Sequence, residues 1–246
     1  MPSSRVVSIV VPTFNESGAI EALIRSVDAA MKSAEIEYEV VVVDDNSPDG
    51  TADLVEGLAG EFPVMVVRRA GKLGLSSAVI DGWIAAQGDL LGVMDADGSH
   101  DEKILPAMVH SILEGEADVA VGSRYVRGGG CGDWPMHRQL ISRVAVLMGR
   151  IFCPVHDLTS GFMVLRREVV VGVPLDPIGF KIGLEVLVRG RFETFTEVPY
   201  VFKDRVKGRS KLGYQEVYAY LVQLSRLFRH YLRYRPRRRR VAYWTG

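Results

Sequence analysis

Five short apolar runs, each separated from the next by a helical pattern, constrain this chain more than any other feature. The runs are Val6–Val11, Tyr38–Val43, Val64–Arg68, Leu90–Met94 and Val119–Gly122. Between them apolar residues recur at helical spacing. The sets are Ile20, Leu23, Ile24, Val27 and Met31; Leu54, Val55 and Leu58; Val79, Ile80, Trp83 and Ile84; and Ile104, Leu105, Met108, Val109 and Ile112. Strands that are almost continuously apolar need cover on both faces, and their alternation with helices implies a mostly parallel sheet flanked by helices. The fold class is therefore α/β. Such sheets hold ligands outside the carboxyl ends of their strands, so a site belongs there.

The second half is less regular. RGGGCGDWP reads as a flexible loop, followed by a helix through Leu140, Ile141, Val144, Leu147, Met148 and Ile151. DLTSGFMVLRR reads as a turn and strand, GFKIGLEVLVRG as a helix and FTEVPYVFKDR as an edge strand. No internal repeat is visible, and no domain boundary before about residue 213. A chain of 246 residues, 48% hydrophobic, suffices for one packed α/β domain.

Three strand ends carry polar clusters: VPTFNES, VVVDDNSPDGT and VMDADGSH. Helix capping and turn chemistry account for Ser47, Asp49 and Thr51. They do not account for Asp44 and Asp45, or for Asp95 and Asp97, which follow buried strands directly. Carboxylates there cost desolvation unless paired, liganded or facing a cleft. Asp95-Ala96-Asp97 has three readings. An isolated Asp-x-Asp is most often a solvated turn. A calcium loop needs later acidic ligands at fixed offsets, and Asp101 and Glu102 come too early. A divalent clamp for a diphosphate needs one or two carboxylates, with substrate phosphate and water completing the shell. This strand end offers that.

The zero net charge conceals an asymmetry. Residues 1–202 carry 17 Lys and Arg against 28 Asp and Glu, whereas residues 203–246 carry 13 against 2. The basic end suits an anionic surface, a phospholipid layer or a nucleic acid. No recognised nucleic-acid module accompanies it, so no nucleic-acid partner is expected. No apolar run reaches the roughly 18 residues that cross a bilayer. Two cysteines without metal spacing and an N-terminus without a signal pattern point to a reduced, cytoplasmic chain.

The segments VPTFNE, VVVDDNSPDGT, GKLGLSSA, MDADGSH, GSRYVRGG, DWPMHRQLISR, DLTSGF, GFKIGLE and RVKGRSKLG follow one another in this order. Together they resemble the polyprenol-phosphate (dolichol-phosphate) mannosyltransferases of inverting glycosyltransferase family 2, over about residues 5–214. The resemblance implies a nucleotide-diphospho-sugar transferase (GT-A type) fold. It also implies transfer of a hexose, mannose from GDP-mannose, to a polyprenyl (dolichyl) monophosphate. Mg²⁺ or Mn²⁺ would be held by Asp95, Asp97 and Ser99. Pro12, Phe14, Glu16 and Asp45 would line the base and ribose pocket. Ala96, Lys181, Glu185, Arg205 and Lys211 would complete the donor site. Arg124, Arg138 and Ser142 would hold the acceptor phosphate, with Asp97, Arg124 and Arg138 as catalytic residues. A phosphate monoester carries about −1.5 to −2 charges at pH 7, so cations rather than a general base are expected on the acceptor side. His100 reads as a structural hydrogen bonder.

From Tyr214, the positions Val217, Tyr218, Leu221, Leu224, Phe228 and Tyr231 keep helical spacing, interleaved with Arg226, Arg229 and Arg233 and followed by RPRRRR. The expected division is a catalytic domain over 1–213 and an amphipathic basic membrane-surface tail over 214–246. The alternative is a helix packed on the body. The protein would then lie peripherally on the cytoplasmic face of a membrane, or rely on a membrane-protein anchor partner. Rival functions are transfer of another hexose, such as glucose from UDP-glucose, to the same acceptor, and a non-catalytic sugar-nucleotide-binding scaffold. An NAD-dependent oxidoreductase is disfavoured because no G-x-G-x-x-G follows the first strand.

Overall fold

A computed structural model of the chain describes residues 6–115, 117–176, 181–203, 214–234 and 236–242, with 214–217 described by backbone alone. The five apolar runs become β1 (Val7–Thr13), β2 (Tyr38–Asp44), β3 (Val64–Arg68), β4 (Leu90–Val93) and β5 (Val119–Ser123). The later strands are β6 (Met163–Arg166), β7 (Thr194–Pro199) and β8 (Arg239–Arg240). The sheet order is β3-β2-β1-β4-β6-β5-β7-β8. β6 runs antiparallel to both its neighbours, β4 and β5; the other pairings are parallel. Thr13 pairs with Asp44, and Val10 with Val93. β1, β2 and β4 therefore finish on one edge, and the two reversals through β6 bring the carboxyl end of β5 to it as well.

Successive residues of a strand face opposite ways, and the buried runs use both faces. Val7, Ile9 and Val11 of β1 pack with α1 (Ile20–Ser33), α2 (Thr51–Leu58) and α4 (Leu105–Leu113). Val10 faces a second core formed with α3 (Leu75–Ala85), α6 (Ile182–Arg189) and α7 (Tyr214–Tyr234). The helix α5 (Met136–Gly149) forms as its spacing predicts, but its apolar positions face outward. Leu140 is 63% exposed, Leu147 67% and Ile151, just past the helix, 62%.

FTEVPYVFKDR is not the edge that its pattern predicts. Arg239 and Arg240 add β8 outside β7, pairing with Thr194 and Phe195. A two-residue arginine strand carries no β signal. It is placed by Arg238, whose guanidinium donates to the carbonyls of Phe192 and Gly190. Leu224 and Leu227 of α7 are buried against the body, so helix and tail share its core.

Helix α3 lies close on β1 and β2 at Gly82. A Cβ there would sit 2.4 Å from Val10 Cγ1 and 2.9 Å from Val43 Cγ2. Gly57, exposed on α2, has open space at the same point. Helix propensity favours alanine over glycine by about 1 kcal/mol at either position, whereas overpacking a core costs about 1–3 kcal/mol. Gly57→Ala should therefore raise the urea midpoint and Gly82→Ala should lower it. Equal shifts of one sign would contradict the close approach.

Candidate active site

Two loops are stapled together at the carboxyl ends of β1 and β2. The amides of Asn15, Glu16 and Ser17 donate to Ser47 Oγ, Thr51 Oγ1 and Asp49 Oδ2, at 2.9, 3.0 and 3.1 Å. Asp44 accepts from Thr13 Oγ1 and from the Ser47 amide and hydroxyl, at 3.1, 2.8 and 2.6 Å. Its carboxylate holds the loop. Asp45 is buried and pairs with Arg69 at 2.6 Å, while Arg69 also donates to Gly74 O and Ser77 Oγ. Pro12, Phe14 and Glu16 are half-buried along the same edge, and the Lys72 ammonium lies 4.0 Å from the centre of the Phe14 ring.

At the end of β4, Asp95 is half-buried and Asp97 buried, with Ala96 packed into the core between them. The Ser99 amide donates to Asp97 Oδ1 at 3.0 Å. Ser99 Oγ is buried without a hydrogen-bond partner among the described residues, an oxygen left over at the point where a cation would need one. Two carboxylates and a spare hydroxyl suit Mg²⁺ or Mn²⁺, which take several ligands from phosphate and water. They do not make a self-sufficient cage: among the described residues no three His, Cys, Asp or Glu side chains cluster to hold an ion. His100 Nδ1 accepts from the Asp95 amide at 3.0 Å, and the ring stacks on Phe162 at 4.8 Å. Burial lowers the imidazole pKa, overriding the nearby Asp95 and Asp97 charges. A neutral ring locked this way positions Asp95.

A second cluster centres on Arg124, which directly follows β5. Its guanidinium is buried and forks onto Asp157, with Nε and Nη2 each at 2.7 Å from a carboxylate oxygen. Its amide also donates to Asp157 at 3.0 Å. Burial alone would raise the Asp157 pKa, but the Arg124 charge and hydrogen bonds hold it below the usual carboxylate range. One edge of the Arg124 guanidinium, Nε and Nη2, is thus already spent within the protein, and Nη2 donates to Thr159 Oγ1 as well. Glu197 of β7, also buried, accepts from the Asp157 amide at 3.2 Å and from His156 Nδ1 at 2.7 Å. Arg138, in the first turn of α5, stacks 3.8 Å from the Trp134 ring centre. Ser142, one turn on, accepts from Tyr125 OH at 2.8 Å.

Lys181 lies within reach of charges from both clusters. Its Nζ donates to Thr159 O at 3.2 Å. Burial and then the Arg124 charge lower its pKa to about 8, against the opposing pull of Asp157 and Asp95. Glu185, expected beside it on the donor, turns instead into the contact with α7. It is held by Arg189 at 2.7 Å and Gln223 at 3.4 Å, and burial raises its pKa. An acid one helical turn from Lys181 is drawn to the arginine one further turn along. Arg205 and Lys211 lie outside the described residues.

Sequence reasoning passed over Asp157, Trp134, Lys72 and Glu197. Asp157 and Trp134 stand inside the segments DLTSGF and DWPMHRQLISR, yet nothing in the order of residues says which acid an arginine will meet. Glu197 did leave a signal, as the single acid within the apolar stretch Thr194–Pro199.

Residues 8–172 match Glycosyl transferase family 2. The chain belongs to that family. It is 44% identical over 227 residues to a dolichol-phosphate mannosyltransferase of Pyrococcus furiosus, covering 91% of this chain and 64% of that protein. The chain thus spans less than two thirds of the archaeal relative's length. It is 34% identical over 232 residues to the Mycosarcoma maydis protein of the same name, covering 90% of this chain and 79% of that one. Among solved structures, mannosyl-3-phosphoglycerate synthase of Rubrobacter xylanophilus superposes with a TM-score of 0.68 at 20% identity, covering 93% of this chain and 75% of that one. Glucosyl-3-phosphoglycerate synthase of Mycobacterium tuberculosis, solved with Mn²⁺, UDP and phosphoglyceric acid, gives 0.66 at 22%, covering 92% and 79%. These two establish the fold of this family 2 chain, the GT-A type.

Two consequences are measurable. A Lys181 titrating near pH 8 rather than 10.5 means that the folded chain binds fewer protons than the unfolded one between those values. This group then makes stability rise with pH across that window. Reductive ¹³C-methylation should give a Lys181 resonance with a midpoint near 8, and a midpoint above 10 would contradict the burial. Asp157→Asn strands a buried guanidinium and should cost about 3–5 kcal/mol in urea unfolding. A loss below about 1 kcal/mol, the range of exposed pairs, would show the pair to be solvated.

Proposed function

We propose that the chain transfers a hexose, mannose from GDP-mannose, to a polyprenyl (dolichyl) monophosphate with inversion at the anomeric carbon. The supporting observation is the division of charge at one sheet edge. Lys181 feels the charges of Asp95 from the end of β4 and of Asp157, Arg124 and Arg138 from the loops after β5. The names of the archaeal and fungal relatives point to the same acceptor.

In this reading Pro12, Phe14, Glu16 and Asp45 receive the nucleoside, with Lys72 closing over Phe14. Mg²⁺ or Mn²⁺ held by Asp95, Asp97 and Ser99 would act as a Lewis acid toward the charge of the departing nucleoside diphosphate. A neighbour of the same fold was solved with Mn²⁺ and UDP together. Lys181 adds a positive charge on the donor side, as would Arg205 and Lys211. Arg138, stiffened by Trp134, and Arg124, stiffened by Asp157, orient the acceptor phosphate beside Ser142. One phosphate oxygen forms its bond to the anomeric carbon from the face opposite the diphosphate. The C1–oxygen bond breaks, and its electron pair leaves with the diphosphate. An oxygen already ionised at neutral pH needs no general base.

In this reading the chemistry belongs to residues 1–213, and the outward face of α5 supports a contact with a membrane surface. Exposed Leu140, Ile141, Val144 and Leu147 lie on the helix that carries Arg138 and Ser142. Arg143 and Arg150, also exposed, flank them. An apolar face rimmed by arginine suits the headgroup layer, each cation near an anionic surface contributing about 1 kcal/mol. The basic segment 214–246 adds to that field from the cytoplasmic side.

Incubation with Mg²⁺ or Mn²⁺, a polyprenyl phosphate and a panel of radiolabelled sugar nucleotides should move label from GDP-mannose into the lipid extract. Label arriving only from another donor would reassign the sugar. Asp97→Ala should lower that transfer by about 10²-fold or more, the scale of losing an electrostatic contact to developing charge, with the thermal midpoint retained. Near-normal turnover would exclude the clamp.

Leu140→Glu/Leu147→Glu should abolish partition onto anionic vesicles without loss of stability, because both side chains are already exposed. Turnover should fall with a long-chain acceptor and persist with a short, water-soluble polyprenyl phosphate. Unchanged partition would place the membrane contact elsewhere.

A further inference from the structure

A second concentration of positive charge lies away from the catalytic edge. Lys181 stands at the amino end of α6. At the other end, about 12 Å away along eight residues at 1.5 Å each, the chain turns through Gly190 toward the amino end of β7. There α6, α7 and the tail border an open cavity of about 590 Å³ lined by Arg189, Arg191, Arg226, Arg229, Arg233 and Arg238. That volume lies within the range of small-molecule sites, about 300–1,000 Å³.

Two of these arginines are neutralised. Arg189 pairs with Glu185 at 2.7 Å and Arg226 with Asp176 at 2.5 Å. The other four have no carboxylate partner among the described residues. Arg238 donates to the carbonyls of Gly190 and Phe192, and Arg191 to Gly172 O at 3.4 Å. Arg229 and Arg233 lie one turn apart on α7, where like charges destabilise a helix by about 0.2–0.5 kcal/mol. The carboxyl ends of α6 and α7, at Gly190 and Tyr234, both reach the cavity. Each helix end carries about half a negative charge. Set against four unpaired guanidinium groups, the two ends, with the Asp118 and Glu193 charges that act on Arg238, still leave positive charge in excess. His230 lines the same space, and burial followed by the charges of Arg189 and Arg238 pushes its pKa down. The excess is unfavourable for the chain alone and becomes favourable when an anion of two or more charges fills the space. Guanidinium groups fork onto phosphate oxygens, and a phosphate monoester carries about −1.5 to −2 charges at pH 7.

We propose that the cavity between α6, α7 and the tail is a second anion site, which binds a phosphate-bearing ligand independently of the catalytic cleft. Neither the transfer reaction nor the apolar face of α5 requires it. A ligand there would clamp α7 and the tail onto α6, whose far end carries Lys181.

The test is calorimetric titration of the intact chain with pyrophosphate, metal chelated, in three forms. Wild type should bind it. Arg138→Gln, altered only on the acceptor side, should retain the cavity event. Arg229→Gln/Arg233→Gln should weaken that event at least 10-fold, and should melt no lower than wild type without ligand because like-charge repulsion has been removed. Equal affinity in the double variant and wild type overturns the proposal. Should the double variant misfold, protection of Arg229 from phenylglyoxal by pyrophosphate, read by mass spectrometry on wild type, decides instead, and absence of protection overturns it. Competition with phosphatidic acid vesicles then identifies the source. Displacement of bound pyrophosphate assigns the site to a lipid headgroup and no displacement to a soluble phosphate, either result bearing out the site.

Discussion

Arg124 and Asp157 meet where neither could remain alone. Each is buried, and an isolated charge in such a place costs several kcal/mol even after relaxation. The fork of two 2.7 Å bonds, with a third bond from the Arg124 amide, offsets that cost and leaves one arrangement of the loop after β5. Several neighbouring side chains hang from this arrangement. Glu197 sets Asp157 from behind, Thr159 closes on Arg124 Nη2 at 2.9 Å, and Trp134 presents its ring to both Arg124 and Arg138. A pair of this kind costs stability relative to an apolar core of equal volume, and what it gives in exchange is position.

The parallel sheet supplies the complementary constraint. Because β1, β2, β4 and β5 end on one edge, residues about thirty to fifty apart in sequence are brought to that edge. The loops after β1 and β2 are fixed there by hydrogen bonds to one another. This division explains why Asp44 and Asp45 differ. Asp44 points into its own loop, and Asp45 points to Arg69 and so ties the loop before α3 to the end of β2.

The helix α6 links regions that the sequence leaves separate. Its amino end is tied to the loop before β6 through Lys181 and Thr159, its middle to α7 through Glu185 and Gln223, and its last turn opens on the arginine-lined cavity. The tail is consequently both a cover for the second core and, through Arg238, a terminus for α6. The outward apolar face of α5 is left for a different environment from either core.

Periodicity alone determined the five strands of the first half, the helices between them and the edge at which a site would lie. Those patterns record which faces are buried, and burial is written locally, one residue at a time. The strand-end pattern likewise marked Asp95 and Asp97, because carboxylates directly after buried strands are conspicuous against an apolar background, whereas Arg138 and Lys181 were marked by the family resemblance. Only the tertiary structure decided which charges would be consumed by one another. Arg124 went to Asp157, Asp45 to Arg69 and Glu185 to Arg189, and β7 acquired a neighbour from the basic tail. It alone also turned the α5 leucines outward, since a helical apolar stripe has the same spacing whether it meets a core or a membrane. Pairing and orientation depend on distances between residues far apart in the chain, and a linear order contains no such distances.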